Sequence, residues 1–395
     1  MVSGGSCLAR VNGKSVFIPH AIPGEKVAVE IRKSFRDYDI ASLREVLEPS
    51  PHRRKPFCPL YGTCGGCNMQ HIDAAHQVSL RAAILEDTFA RAGVRAPEVE
   101  VVSGSGTGYR ARIQLTDGGF CGRGANVVVR LDRCPVATEE INGYLGRVPQ
   151  DERPRGRAHI FGDRRVLGGR RVIVAEGPEA ARTGGRGGTN SEKPGKSARF
   201  SGSVPDERNA CAVELSGKRI EFDARGFFQS NLAMLEAAIG KITGGLGGRS
   251  ALDLYAGCGT FSVFLADLFE KTTLVEHNRD ALVFAERNLL GKKHESYGQS
   301  GRKWVLENAR RAISGGAFDA VVVDPPRSGM EKEVRAWLCG NKAAHVRSVS
   351  CDPGTHARDA ALLVRVGYRL TKLFLLDFYP QTSHIESLAF FDYGE

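Results

Sequence analysis

Apolar and polar positions alternate in two different rhythms along this chain. From residue 226 onward, short apolar runs alternate with amphipathic stretches: SALDLYAG precedes TFSVFLADLFE, TTLVEHN precedes DALVFAERNLL, FDAVVVDPP precedes KEVRAWLCG, and HVRSVSCDP precedes THARDAALLVRVG. Strands separated by helices predict a parallel sheet covered on both faces. The last two runs, YRLTKLFLLDFYP and HIESLAFFDYG, are joined by too few residues for a crossover and must pair antiparallel. The first fifty residues instead show VFIPHA, KVAVEI and IASLREVL, separated by the turn-forming IPGE and SFRDYD. That pattern predicts a small β-barrel, a fold that often grips nucleic acid.

Residues 51–71 form a connector rich in proline and cysteine, and HQVSLRAAILEDTFARAG (76–93) has the apolar spacing of an amphipathic helix ending at Gly93. Residues 100–225 read as mostly β. They are interrupted at about 175–205 by GPEAARTGGRGGTNSEKPGKSARFSGS, an insertion whose composition cannot build a core. The expected division is a barrel over 1–50, a central domain over 51–225 and an α/β domain over 226–395, with helix 76–93 available to pack on the last.

Composition narrows the class. At 395 residues with 42% hydrophobic content the chain is long enough for two or three domains with real cores. No run of about eighteen apolar residues occurs, and the opening MVSGGSCLARVNGK has no apolar signal core, so a cytoplasmic protein without a membrane partner is expected. The ten cysteines are then reduced, and serve as ligands, reactive groups or packing residues. A net charge of +10 favours a polyanionic partner. Residues 151–210 hold 13 Lys and Arg against 8 Asp and Glu, half of that excess.

In DLYAGCGTF the strand ends at Tyr255, and Gly257 and Gly259 turn the chain into a helix while leaving room for a ligand at the backbone. Glu276, at the end of the next strand in TLVEHN, can accept both hydroxyls of a ribose. A dinucleotide would more usually call for the full GxGxxG. The looser turn, with DPP ending a later strand, suits S-adenosylmethionine. Tight packing alone would leave Glu276 and Asp324 without a task. In DPPR, Arg327 stands where enzymes that methylate exocyclic amines usually carry an aromatic residue, and the second cysteine usual in cytosine-methylating RNA enzymes is absent there.

VRSVSCDPGTHARDA (346–360) places Cys351 at the carboxyl end of a strand, where open α/β sheets keep their ligands. Free cysteine is commonly a buried packing residue. With a methyl donor nearby, however, a thiolate can add to carbon-6 of uracil and turn carbon-5 into a nucleophile. Carbon-5 must afterwards lose its proton, and DFYPQTSHIES offers Glu386 and His384. The antiparallel strand begins near Glu386, on the edge that carries Cys351. His384 reads equally well as a hydrogen-bonded structural residue. In FCPLYGTCGGCNMQH, Cys58, Cys64 and Cys67 can fold around one centre with Gly65 and Gly66 between them. A fourth ligand is required, for an iron-sulfur cubane or, with His71, for zinc.

These motifs resemble the RNA uridine carbon-5 methyltransferase family, in its iron-sulfur ribosomal-RNA branch. The likeness runs through FFQSN, DLYAGCGTF, VEHN, DPPR, SCDP and PQTSHIE and spans nearly the whole chain. It implies a class I S-adenosylmethionine-dependent methyltransferase domain at the carboxyl end, an OB-like TRAM barrel at the amino end and a central, mostly β iron-sulfur domain. By the same resemblance Gln229, Tyr255, Thr260, Glu276 and Asp324 surround the donor, Cys351 is the nucleophile and Glu386 the base. Cys258 is a small packing residue, and Cys134 in LDRCPVATEEIN completes a [4Fe-4S] site with Cys58, Cys64 and Cys67. The family normally has another strand before GGSCLARVNGK and this chain begins almost on it, so either a truncated barrel or a misassigned start codon is expected. The expected substrate is 23S ribosomal RNA, bound by a monomer. The alternatives are the same chemistry on a T-loop uridine of transfer RNA, or an RNA-binding assembly factor without turnover.

Overall fold

A computed structural model describes residues 1–124, 127–176, 207–315 and 318–394. Most of the glycine- and arginine-rich insertion expected at about 175–205 therefore lies outside the described residues. Strands β1 (Ser6–Val11), β2 (Lys14–Pro19), β3 (Lys26–Ser34) and β4 (Tyr38–Glu48) form one sheet in the order β1-β2-β4-β3. Asn12 and Gly13, both at positive φ, close β1 on β2 as a two-residue hairpin, the turn that matches strand twist. Alternation puts Val16 and Ile18 inside, with Cys7 and Ala41.

Helix α1 (Ala74–Arg91) starts at Asp73, whose carboxylate accepts the His76 amide, and ends before Gly93 at φ 76°. Its buried stripe is Gln77, Arg81, Leu85 and Phe89, and it packs against the catalytic layer. Strand β5 (Val99–Val102) follows. The central region comprises β6 (Arg112–Thr116), β7 (Phe120–Cys121), β8 (Val128–Val129), α2 (Glu139–Arg147), β9 (Arg157–Gly162), β10 (Val172–Glu176) and the hairpin β11 (Ala210–Leu215) with β12 (Lys218–Asp223). β10, β9 and β6 make an antiparallel sheet with α2 packed on it.

After α3 (Leu232–Thr243) come β13 (Gly248–Leu254), α4 (Thr260–Leu268), β14 (Phe269–Val275), α5 (Arg279–Asn288), β15 (His294–Tyr297), α6 (Gly301–Gly315), β16 (Ala320–Val323), α7 (Lys332–Asn341), β17 (His345–Ser350), α8 (Pro353–Arg365), β18 (Arg369–Leu376) and β19 (Glu386–Asp392). They build an eight-stranded sheet in the order β15-β14-β13-β16-β17-β19-β18-β5. All pairs are parallel except those of β19 with β17 and β18, so the fold is the expected α/β class. β16 is buried along its whole length because both faces of the sheet are covered, and each of its valines contributes about 1.5–3 kcal/mol by burial. The order reverses between β13 and β16, which opens the ligand crevice at their carboxyl ends.

Two elements depart from the sequence reading. β5, from the central stretch, pairs in parallel with β18 and extends the catalytic sheet. The short β15 and the helix α6 fill a stretch for which the apolar pattern indicated neither strand nor helix, since HESY offers no apolar run. Among the described residues no helix is long and apolar enough to cross a membrane.

Candidate active site and cysteine pocket

The crevice at the switch point is a cleft of about 1320 Å³. On its β13 side Tyr255 (φ 65°), Gly257 (φ 56°) and Gly259 (φ 76°) all adopt the left-handed conformation that favours glycine. A Cβ on Gly257 would meet nothing within 4 Å, so the turn is open to a ligand. At Gly259 a Cβ would lie 3.1 Å from that of Ala285, so glycine lets α5 pack against the turn. Glu276 has a structural task that the sequence did not disclose: its carboxylate accepts the amides of Gly257 at 2.9 Å and Asn278 at 2.6 Å, tying the turn to the end of β14. Carboxylate oxygens have capacity for further donors, and Glu276 also lines the cleft.

Gln229 accepts the Tyr379 hydroxyl at 3.1 Å, which joins the FFQSN segment to the loop before β19. The Tyr255 hydroxyl donates to the Glu331 carboxylate. Thr260 opens α4, and its hydroxyl lies 3.4 Å from the buried Cys258 thiol, which burial pushes up to about 11. Beneath the turn, burial pushes Asp253 up to about 7, although its carboxylate accepts the Ser262 hydroxyl at 2.5 Å. Gln229, Tyr255, Thr260, Glu276 and Asp324 all line the same cleft.

Cys351, Glu386, Arg327, His384 and Tyr379 line the same cleft. Cys351 stands between β17 and α8, the latter capped by Asp352 and opened by Pro353. Glu386 is the first residue of β19, paired with Leu376 of β18, so the antiparallel return brings it to the edge that bears Cys351. Burial, then the nearby Glu386 and Asp324 carboxylates, push the Cys351 thiol up to about 11, while Arg327 opposes them. Glu386 is pushed up to about 8 by burial and by Asp324, again against Arg327. Asp324 keeps part of its surface open to the cleft, yet the protein around it pushes it up to about 7. Burial, and then Arg327, disfavour the charged form of His384, whose ring meets the edge of Tyr379.

Several residues behind the site escaped the sequence reading. Arg81 donates to Asp377 at 2.7 Å in a buried pair that fixes α1 to the end of β18. Gln77 donates to Gln381 at 2.9 Å, and Asn68 pairs with Ser383. A glutamine and an arginine one turn apart on an otherwise apolar helix stripe were the available signal, because buried polar groups require partners.

Cys58, Cys64, Cys67 and Cys134 line a second cavity of about 500 Å³, whose wall has no carboxylate and two guanidinium groups, Arg110 and Arg123. Burial raises the thiols of Cys64, Cys67 and Cys134, that of Cys67 to about 11. Gly65 makes the tight fold possible, since a Cβ there would sit 3.2 Å from the carbonyl oxygen of Cys121. Cys121 also lines the cavity, a thiol the spacing did not single out. His71 is not on this wall: its Nδ1 bonds the Tyr61 hydroxyl at 2.7 Å and its ring packs against His20. Among the described residues no three Cys, His, Asp or Glu converge closely enough to hold a single metal ion.

Comparison with known proteins gives the architecture its family. A model described as tRNA (Uracil-5-)-methyltransferase matches residues 311–392, and the TRAM domain model matches residues 3–43. An RNA methyltransferase of Treponema denticola is 35% identical across 99% of this chain and 97% of its own length. The 23S rRNA (uracil(1939)-C(5))-methyltransferase RlmD of Chromohalobacter salexigens is 31% identical across 95% of this chain and 84% of its own. The fold matches that of Pyrococcus abyssi tRNA (uracil-54, C5)-methyltransferase, solved with S-adenosyl-L-homocysteine, at a TM-score of 0.68 and 24% identity over 95% of each chain. The chain belongs to the RNA uridine carbon-5 methyltransferase family, and is an S-adenosylmethionine-dependent RNA (uracil-C5)-methyltransferase.

Proposed function

We propose that the chain methylates one uridine of 23S ribosomal RNA, with Cys351 as nucleophile and Glu386 as base. The observation that carries this reading is the meeting of a cysteine from β17 and a carboxylate from β19 in the cleft that also holds the glycine turn. Gln229, Tyr255, Thr260, Glu276 and Asp324 bind the donor, with Glu276 aimed at ribose hydroxyls. S-adenosylmethionine supplies an electrophilic methyl group carried on a sulfonium.

The target base leaves its stack to enter the cleft. The Cys351 thiolate adds to carbon-6, and the electron pair released to carbon-5 accepts the methyl group. Glu386 then takes the carbon-5 proton, the carbon-5/carbon-6 double bond re-forms, and the carbon-sulfur bond breaks to return the thiolate. Both groups act ionised, and both are held above their ordinary range. The rate is therefore lost as pH falls. Methyl transfer is expected to rise with pH between 7 and 9 by up to about tenfold per unit, because the thiolate fraction limits it. Below pH 8, where Glu386 becomes protonated, release of the carbon-5 proton should slow together with methyl transfer. Quenched-flow assays across this range measure both, and a flat profile would exclude these two groups.

The choice of ribosomal RNA is supported by the near full-length likeness to RlmD proteins of Chromohalobacter salexigens and Shewanella amazonensis. Transfer RNA is the second reading, favoured by the fold match to the Pyrococcus abyssi enzyme. Mass spectrometry of nucleosides from separated ribosomal and transfer RNA, with and without this gene, distinguishes them. Loss of 5-methyluridine from large-subunit RNA is expected. Loss only from transfer RNA would overturn the substrate.

The second cavity suits a [4Fe-4S] cluster held by Cys58, Cys64, Cys67 and Cys134. Four thiolates carry a negative charge that Arg110 and Arg123 offset. With His71 bonded to the Tyr61 hydroxyl, the zinc alternative loses that ligand. Bound there, a cluster supplies a cross-link between the 58–67 segment and Cys134. Methyl transfer moves no net electrons, so the role is a brace. Cys134→Ser is expected to lose the brown colour and most of the bound iron. Full retention of iron would remove Cys134 from the ligand set.

A further inference from the structure

The loop between β18 and β19 is held by a clamp from far away in the sequence. At its centre Gln381 adopts φ 69°, a left-handed conformation in which a residue with a side chain persists only when its surroundings enforce it. Every polar group of Gln381 is engaged. Its carbonyl accepts the amides of Asn68 at 3.1 Å and Met69 at 3.0 Å. Its own amide donates to Gln77 Oε1 at 3.0 Å, and its side-chain oxygen accepts Gln77 Nε2 at 2.9 Å. Two residues on, the Ser383 amide donates to Asn68 Oδ1 at 2.8 Å, while Asn68 Nδ2 donates to the Ser383 hydroxyl at 2.8 Å.

What this clamp grips is the loop that carries Tyr379 and His384 into the cleft and delivers the chain to Glu386. Asn68 directly follows Cys67 of the cysteine pocket, and Gln77 lies on the buried face of α1. Partners for buried polar groups are a general requirement of folding. Proton removal, by contrast, requires the base to be placed to within a fraction of an ångström.

We propose that Asn68, assisted by Gln77, is a positioning residue for the base. It holds the 379–385 loop so that the carbon-5 proton is taken promptly after methyl transfer, and so links the cysteine segment to the second half of the reaction. The inference rests on Glu386 acting as that base. Loosening the clamp should leave attack by Cys351 and methyl transfer largely intact while slowing proton removal and thiolate release. The methylated RNA-protein adduct would then accumulate.

The test uses the full-length protein, S-adenosylmethionine and a ribosomal RNA fragment containing the target uridine tritiated at carbon-5. Asn68→Ala is compared with the milder Ser383→Ala, which keeps the backbone bonds, and with Glu386→Gln as a control. Tritium release is expected to slow about tenfold to a hundredfold in Asn68→Ala, the cost typical of a misplaced catalytic group. The rate of adduct formation should change little. Ser383→Ala should show the same imbalance to a smaller degree. Parallel loss of both steps, or balanced steps in both variants, would overturn the proposal. If Glu386→Gln itself traps no adduct, the base assignment has failed and the inference falls with it. If the control traps adduct and the clamp variants do not, only the clamp is wrong.

Discussion

Cys351→Ala is expected to abolish methyl transfer, by on the order of 10⁴-fold or more, because carbon-5 becomes nucleophilic through addition of that thiolate to carbon-6. Donor binding should survive. The glycine turn follows β13, Glu276 follows β14 and Thr260 opens α4, whereas Cys351 follows β17. The half-buried thiol leaves a space open to the cleft, so the fold loses little on its removal. Calorimetry with S-adenosylmethionine and a single-turnover assay with labelled methyl check the two halves of the statement. Residual turnover within tenfold of the unmodified protein would return Cys351 to a packing role.

Glu386→Gln is expected to stop the reaction one step later. Glutamine matches the shape of the protonated carboxyl group that burial and Asp324 already favour, so the substitution should fold and bind as the original does. It cannot take a proton. Addition and methyl transfer proceed, but the adduct cannot expel the thiolate, and product release should fall about 10²- to 10⁴-fold. RNA bound through a covalent link should appear as a slow band in a denaturing gel. Free 5-methyluridine formed at the ordinary rate would transfer the role to another residue, with His384 in the same cleft as the next candidate.

Much of this site was legible because its chemistry sits at strand ends that the apolar pattern located. AVVV is a continuous apolar run and HVRSVS a β-branched stretch ahead of a helix, and their carboxyl ends assign Asp324 and Cys351 to one edge of the sheet. The short YP-containing link forced β19 to run antiparallel, which carried Glu386 to the same edge. The hidden part depended on contacts between distant segments. Nothing local in VEVV indicated that β5 would join β18, or that Asn68 would meet Ser383 across the fold. Glu276 was read as a ligand for ribose, while its hydrogen bonds to Gly257 and Asn278 follow from a turn geometry that residue types alone do not specify.

The most direct test of the central claim is mass spectrometry of the protein after incubation with S-adenosylmethionine and RNA carrying 5-fluorouridine at the target position. Fluorine in place of the carbon-5 proton cannot be removed by a base, so the reaction should halt after methyl transfer. The expected result is a methylated nucleotide attached to the peptide that contains Cys351, and its loss in Cys351→Ala. An adduct on any other residue, or none in the presence of both substrates, would contradict the mechanism.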